Sequence, residues 1–157
     1  MKAATVRELK TELSQYSQKE LVDICLRLSK FKKENKELLT YLLYEASNEE
    51  NYITSVKNEI DAQFEQINSR SFYLIKKSVR KILRTAKKYI RYSQKKETEV
   101  EVLLHFCHQL NQFQPSIRRN RTLLNLYQRQ VESIRKTISK LHEDLQYDYE
   151  MESNELG

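Results

Sequence analysis

Two histidines and a glutamate recur one helical turn apart in the second half of the chain. Glu101, His105 and His108 follow each other at spacings of 4 and 3, which places them on one face of a helix. Two imidazoles and a carboxylate can bind a transition metal. The di-iron pattern of helical bundles is absent, because neither histidine has a glutamate three residues before it. We interpret them as surface or half-buried side chains and predict no metal and no cofactor.

The cysteines offer little for catalysis. Cys107 precedes His108 directly, but adjacent residues of a helix point about 100° apart, so the thiol and the imidazole do not face each other. No donor group for an oxyanion is indicated either. Cys25 and Cys107 each lie on an apolar helical face. We predict two free, buried cysteines, which fits a reducing cytoplasm.

Glycine scarcity excludes whole classes of site. The 157 residues include one glycine, Gly157, and one proline, Pro115. Phosphate-binding loops, dinucleotide-binding turns and the elbow of serine hydrolases all require glycines near the ligand or nucleophile. We therefore predict a protein that is not an enzyme, with no catalytic residue and no small-molecule substrate. The tight turns of a β-sheet need the same residues, so the chain is predicted to be all-α.

Basic residues are concentrated in one segment. Residues 70–96 hold eleven Lys or Arg and no acidic residue, within a chain of net charge +6. On a helix they form a stripe opposite the apolar side, and this basic stripe is our candidate polyanion-binding site: Lys77, Arg80, Lys81, Arg84, Lys88 and Arg91.

Three interpretations of the basic stripe stay open. The side chains are solvated or paired with the acidic residues of 45–65, or they bind RNA, DNA or an acidic protein, or they contact an anionic membrane surface. A second basic stretch at 116–141 would enlarge the surface if its helix packs beside 71–92. Tyr89 and Tyr92 border the stripe, where aromatic rings can stack on bases, although tyrosines in bundles more often fill the edge of the core.

Helical periodicity and capping patterns position these residues. Thr5 with Glu8, and Ser17 with Glu20, match the capping box that begins a helix. Apolar residues at helical spacing predict one buried face on each helix, including Leu21, Ile24, Leu28 and Phe31 on the second. The predicted helices are about 5–14, one from 18 onward, one from about 48 with a stripe ending at Ile67, 71–92, 98–113 and 116–147.

The last predicted helix has the most regular pattern in the chain. Its apolar positions keep a strict heptad: Leu124, Tyr127, Val131, Ile134, Ile138, Leu141 and Leu145. A heptad favours a coiled coil or long antiparallel packing. This helix would extend about 48 Å. It either lines the bundle or protrudes to meet a partner.

The predicted architecture is a bundle of long helices with a short N-terminal helical subdomain. We expect a single domain at 1–147, with N-terminal helices at 5–46 and the bundle at 48–147. Residues 148–157 are predicted to form a disordered acidic tail. No segment approaches the roughly 20 apolar residues of a membrane span, and the N-terminus lacks the apolar core of a signal peptide.

The chain also resembles a group of small uncharacterised bacterial proteins. The opening VRELKTELSQYSQKELVDICLRLSKFKKENKELL is similar to their N-terminal helices, and KKILRTAKKYIRYSQKKETEVEVLLHFC is similar in character. That group has no assigned activity, so the resemblance implies a bacterial cytoplasmic setting and no site residue.

These observations predict a cytoplasmic, non-enzymatic helical module for interaction or scaffolding. Its partner would be another protein or a second copy of the chain. The alternative is a nucleic-acid-binding protein that uses the basic stripe.

Overall fold

The protein is helical throughout in the computed structural model, which describes all 157 residues. Helices include 80 % of the residues and none is in a strand, which confirms the all-α prediction. No helix is both long and apolar enough to cross a membrane. The eight α-helices are α1 (Val6–Leu13), α2 (Gln18–Phe31), α3 (Lys33–Thr40), α4 (Glu49–Glu65), α5 (Phe72–Ser93), α6 (Lys96–Gln112), α7 (Arg121–Ile138) and α8 (Glu143–Glu155).

The chain forms two compact units, residues 1–44 and 45–157. The boundary lies within a few residues of the one expected between the N-terminal helices and the long-helix bundle. A π-helical turn, Tyr41–Glu45, spans this boundary.

Both predicted capping boxes begin helices of the first unit. The Thr5 hydroxyl accepts a hydrogen bond from the Glu8 amide at 3.3 Å, and the Glu8 carboxylate accepts one from the Thr5 amide at 2.7 Å. Ser17 and Glu20 repeat the arrangement at the start of α2. Each box provides acceptors for amides that the first turn leaves unpaired, so α1 and α2 begin where the sequence predicts.

The apolar side of residues 1–44 is not buried. Helices α2 and α3 pack against each other, but only Ser29 and Tyr41 of the unit are buried. The predicted buried face of α2 is therefore wrong, since Leu28 is 57 % exposed and Phe31 is 78 % exposed. Cys25 is exposed as well, which corrects the prediction that both cysteines are buried. Amphipathic spacing indicates an apolar face but does not provide a helix to cover it.

Residues 45–157 are built around α6. This helix packs against α4, α5, α7 and α8. Its own buried residues lie around most of its circumference: Thr98, Val100, Val102, Leu103, Leu104, Phe106, Cys107 and Leu110. The predicted apolar faces of α4 and α5 are buried in the same core, from Val56 and Ile60 on α4 to Val79 and Ile82 on α5. The predicted core positions of these three helices are thus confirmed except near the helix ends, where Ile67, Phe72, Ile90 and Phe113 are half-buried.

The α5–α6 turn is made without glycine. Helix α5 ends at Ser93, and Gln94 adopts the left-handed conformation with φ 60°, which glycine usually occupies at such a position. The Gln94 amide donates to the carbonyl of Ile90 at 3.0 Å. The turn reverses the chain within two residues and places α6 beside α5.

The predicted helix 116–147 is two α-helices. A 3₁₀ turn at Ile117–Arg119 precedes α7, which ends at Ile138. His142 is extended and caps α8, so the heptad is interrupted between Ser139 and His142. Helix α7 lines the bundle, because Ile134 is fully buried and α7 packs on α6. The segment therefore lines the bundle, as in the first of the two predicted alternatives, and does not protrude from it.

The predicted disordered tail is also wrong. Helix α8 runs to Glu155 and packs on α6 and α7, with Tyr149, Ser153 and Leu156 buried. The Tyr149 hydroxyl lies 3.1 Å from a Glu97 carboxylate oxygen and 3.0 Å from one of Glu101. The Tyr127 hydroxyl donates to the Leu156 carbonyl at 2.7 Å. Acidic composition suggested disorder, but two tyrosine hydrogen bonds and a small apolar face fix the segment.

We expect Leu103→Ala to destabilise residues 45–157 by about 3–5 kcal/mol, because Leu103 is buried at the centre of α6. Urea denaturation followed by circular dichroism measures the change. Met151→Ala is the control, since it truncates a side chain of the same unit that is 55 % exposed on α8. Its expected cost is under about 1 kcal/mol. Equal losses in the two variants would mean that α6 is not the core helix.

We expect Tyr149→Phe to destabilise the protein by about 1–2 kcal/mol and to speed amide exchange in α8. Burial, with the nearby carboxylates of Glu101 and Glu97, raises the pKa of the Tyr149 hydroxyl. A raised pKa in the folded state favours the neutral phenol, so this stabilisation is complete below the unfolded pKa of about 10 and is lost as the pH rises above it. The stability difference between the native chain and the variant should therefore shrink above about pH 10. A difference independent of pH there would contradict the assigned hydrogen bonds.

Candidate interaction surfaces

The basic stripe lies on the outer side of α5. The opposite side of this helix is fully buried at Ile75, Val79 and Ala86. Because successive residues of a helix are rotated by about 100°, residues on the side of α5 opposite this buried side face outward. The stripe is therefore oriented by the core that α5 shares with its neighbours.

Five of the six predicted cations are exposed and form no ion pair: Lys77, Arg80, Lys81, Arg84 and Arg91. The sixth, Lys88, is half-buried, and its ammonium lies 4.9 Å from the centroid of the Tyr89 ring. Rows of like charge on a helix repel by a few tenths of a kcal/mol per neighbouring pair. The stripe thus carries unbalanced positive charge along about four turns.

Two acidic residues of α4, Glu49 and Asp61, contact residues other than the five exposed cations. The Glu49 carboxylate accepts hydrogen bonds from the Ser93 and Thr98 hydroxyls and lies 3.6 Å from the Lys95 ammonium. Asp61 pairs with His105 on α6. These contacts join α4 to α6 and to the turn before it. Pairing with the acids of 45–65 therefore does not account for the five exposed cations.

The second basic stretch does not extend the stripe directly. Its cations on α7 are exposed, including Arg121, Arg129 and Lys136. However, α6 packs against both α5 and α7, and α5 is not packed on α7. The acidic helix α8 likewise packs on α6 and α7 rather than on α5. The basic stripe is consequently a surface of α5 alone.

The two tyrosines that border the stripe, Tyr89 and Tyr92, are half-buried and pack against other rings. The Tyr89 ring packs against Tyr52 and Tyr92, with ring centroids 6.4 and 6.0 Å away. The Tyr52 hydroxyl donates to the Tyr89 carbonyl at 2.8 Å. Sequence reasoning named Tyr89 and Tyr92 and missed Tyr73, whose side chain is 71 % exposed. Its position four residues before Lys77 on the same face was the available signal.

The other candidate surface is the apolar face of residues 1–44. We define it by the large apolar side chains of this unit that are exposed: Val6, Leu9, Leu13, Tyr16, Val22, Leu26, Leu28, Phe31, Leu38, Leu42, Leu43 and Tyr44. Residues 45–157 expose only Tyr73, Tyr147 and Met151 as large apolar side chains. A concentration of exposed large apolar side chains in one part of a folded protein marks an interaction region. On α2 these side chains lie on two sides, since Leu28 and Phe31 are rotated by at least about 120° from Val22 and Leu26. The N-terminal unit is therefore the strongest candidate for protein contact.

The possible metal ligands do not converge. Glu101 pairs with the Lys57 ammonium at 2.8 Å, His105 pairs with Asp61 at 2.5 Å, and His108 is exposed. No group of three or more His, Cys, Asp or Glu side chains in the chain could hold a metal ion. Glu101, His105 and His108 lie on one face and line one cleft with Glu152 and Glu155 of α8, but Glu101 is paired with Lys57 and His105 with Asp61.

A polar cleft that sequence reasoning missed lies between α4 and the start of α6. Its volume is about 760 Å³, and its lining includes Glu49, Lys57, Lys95 and Glu101. These charged groups are already engaged with one another or with neighbouring hydroxyls. No histidine or cysteine lines it. The cleft therefore presents paired charges rather than a nucleophile and a base.

The Cys107 thiol is inert in the folded protein. It is fully buried on α6, and burial raises the pKa of the thiol to about 12. A thiol in this environment is almost entirely protonated at neutral pH, whereas the thiolate is the reactive form. Cys107 therefore belongs to the core.

Comparison with protein-family models, with curated proteins and with solved structures finds no match to this chain. The resemblance to small bacterial helical proteins therefore stays a prediction.

We expect a thiol reagent such as iodoacetamide to modify Cys25 in the dilute native protein and to leave Cys107 intact. Cys25 is exposed, whereas Cys107 is buried with a raised pKa. Peptide mass spectrometry should detect Cys107 labelling only in denaturant. The Cys25→Ser variant is the control and should take up no label while folded. Rapid native labelling of Cys107 would show that α6 is not closed by its neighbours.

Proposed function

We propose that the protein is a non-enzymatic interaction module and that its apolar face at residues 1–44 binds a second copy of the chain. One observation carries the proposal. Twelve large apolar side chains of this unit are exposed, and they lie on all three of its helices and the turn after them. A domain that folds on its own would bury most of these apolar side chains.

The size of the unit strengthens this argument. Chains of roughly 40 residues seldom bury enough apolar surface to offset the entropy of ordering without a disulfide, a metal or a partner. The unit has no disulfide and no metal-binding group. An interface on this face would supply the missing core.

A second copy fits the face better than a strongly charged partner. Residues 1–44 contain nine basic and six acidic side chains, and both signs occur on each of the three helices. Glu8, Lys10 and Glu12 on α1 are one example, and Lys33 pairs with Glu37 on α3 at 3.8 Å. In a two-fold arrangement each residue meets a different residue of the other copy, so acids can oppose bases across the contact.

The test is the mass of the full-length protein in solution over a range of concentrations, by light scattering or sedimentation equilibrium. We expect a dimer that dissociates on dilution. Replacement of Leu28 and Phe31 by Asp should give a monomer, because two buried unpaired charges at an interface are costly. Both side chains are exposed in the single chain and lie outside the core of residues 45–157, so the unfolding transition of that unit should be unchanged, while residues 1–44 lose helix with the interface.

Met151→Asp with Tyr147→Asp is the matched control. It introduces the same charge on α8, at side chains that are 55 % and 67 % exposed, and should leave the dimer intact. A native protein that stays monomeric at every concentration would overturn the second copy as the partner. Equal dissociation of the control would place the contact outside the N-terminal face.

A second candidate function is polyanion binding by the basic stripe. The observation that favours it is the set of five exposed cations on α5 without an ion pair. Phosphates bind such rows of Lys and Arg with release of counterions. This function uses a surface in residues 45–157 and does not depend on the N-terminal face.

A further inference from the structure

We infer that the basic stripe binds single-stranded nucleic acid, with an unpaired base stacked on Tyr73. The inference rests on the second candidate function and specifies its ligand. It is drawn from the alignment of one exposed aromatic ring with a row of unpaired cations on α5.

Tyr73 continues the stripe toward the start of α5. It precedes Lys77 by four residues and Arg80 by seven, so the three side chains share one face of the helix. Tyr73 is 71 % exposed, in contrast to Tyr89 and Tyr92, which pack against other rings. An exposed ring next to phosphate-binding cations is the arrangement that holds single strands, where bases stack on aromatics and the backbone follows a basic surface.

The length of the surface suits a short stretch of strand. From Tyr73 to Arg91 the stripe extends about 27 Å along the helix axis. Its exposed cations follow one another at spacings of 3, 1, 3 and 7 residues, which allows about three or four phosphates to be contacted along the helix. Contact by Lys and Arg with phosphates, and by a ring with a base face, does not depend on base identity. The site should therefore bind with little sequence preference.

Double-stranded DNA fits the surface less well. Bases inside a duplex are stacked on one another and offer no open face to Tyr73. Phosphate contacts alone would leave the exposed ring without a role.

A membrane surface fits less well still. Helices that lie on membranes insert bulky apolar residues into the lipid boundary. The bulky aliphatic residues of α5 are in the protein core, since Ile75 and Val79 are fully buried and Ile82 is nearly so. One tyrosine is the only large apolar side chain that α5 exposes.

The experiment is a fluorescence-anisotropy titration of the full-length protein with a labelled oligothymidylate, at low and moderate salt. A duplex of the same length and vesicles containing phosphatidylglycerol are the competing ligands. We expect the single strand to bind tighter than the duplex, and the vesicles to compete weakly. Tyr73→Ala should weaken single-strand binding about 5- to 100-fold, while Tyr73→Phe keeps the affinity because it keeps the ring.

Tyr147→Ala is the matched control for the ring. Tyr147 is 67 % exposed on α8, outside the stripe, and its loss should leave binding unchanged. Arg80→Glu with Arg84→Glu should reduce the slope of log affinity against log salt by about 1.4, at roughly 0.7 per phosphate contact of a single strand. Arg121→Glu with Arg129→Glu makes the same change in net charge on α7 and should alter the slope far less.

The outcomes separate the inference from the function on which it rests. Equal or tighter duplex binding, or no effect of Tyr73→Ala, would overturn the single-strand inference while polyanion binding stands. No binding of either nucleic acid at low salt would overturn both, as would preferential binding of the vesicles. An equal effect of the α7 charge reversals would show that net charge, rather than the basic stripe, holds the strand.

Discussion

Helix α6 must be covered on nearly every side, and the arrangement of residues 45–157 follows from that requirement. Its buried residues run from Thr98 to Leu110 and include consecutive positions such as Val102, Leu103 and Leu104, which point in different directions. One neighbouring helix cannot cover such a circumference. Helices α4, α5, α7 and α8 therefore all pack on α6, and each turns its own apolar side inward to do so.

The placement of charge is a consequence of this packing. Once α5 has turned Ile75, Val79 and Ile82 to the core, its basic residues have only the outer side available. The acidic residues of α4 and α6 lie beside polar partners instead, as Lys57 with Glu101 and Asp61 with His105 show. Positive charge consequently accumulates on the outer side of α5, where Lys77, Arg80, Lys81, Arg84 and Arg91 are exposed and form no ion pair. A surface of this kind attracts polyanions, and the attraction weakens as the salt concentration rises because ions screen the charges.

In residues 1–44, local interactions specify the helices, but packing between helices buries little apolar surface. Its helices begin with well-formed capping boxes and carry amphipathic spacing, so local interactions specify them. Yet they bury almost none of their apolar side chains within the chain. Capping contributes about 1 kcal/mol per helix, far less than a buried apolar face provides. This imbalance between capped helices and exposed apolar side chains is the reason for the proposed contact with a second copy of the chain.

Local patterns in the sequence were sufficient for the helical class, the starts of α1 and α2, and the buried faces of α4, α5 and α6. These features depend on residues within one or two helical turns, where apolar spacing and capping residues can be recognised in the sequence.

Whether an apolar helix face is buried depends on residues that are distant in the sequence. Leu28 and Ile82 occupy similar positions in their patterns, but α5 has α6 to cover it and α2 has no such neighbour. Likewise, the acidic residues 143–155 form a helix because α6 offers the carboxylates of Glu97 and Glu101 to Tyr149, and Tyr127 on α7 reaches the Leu156 carbonyl. Those contacts join residues 29 to 52 positions apart, so no local pattern could reveal them.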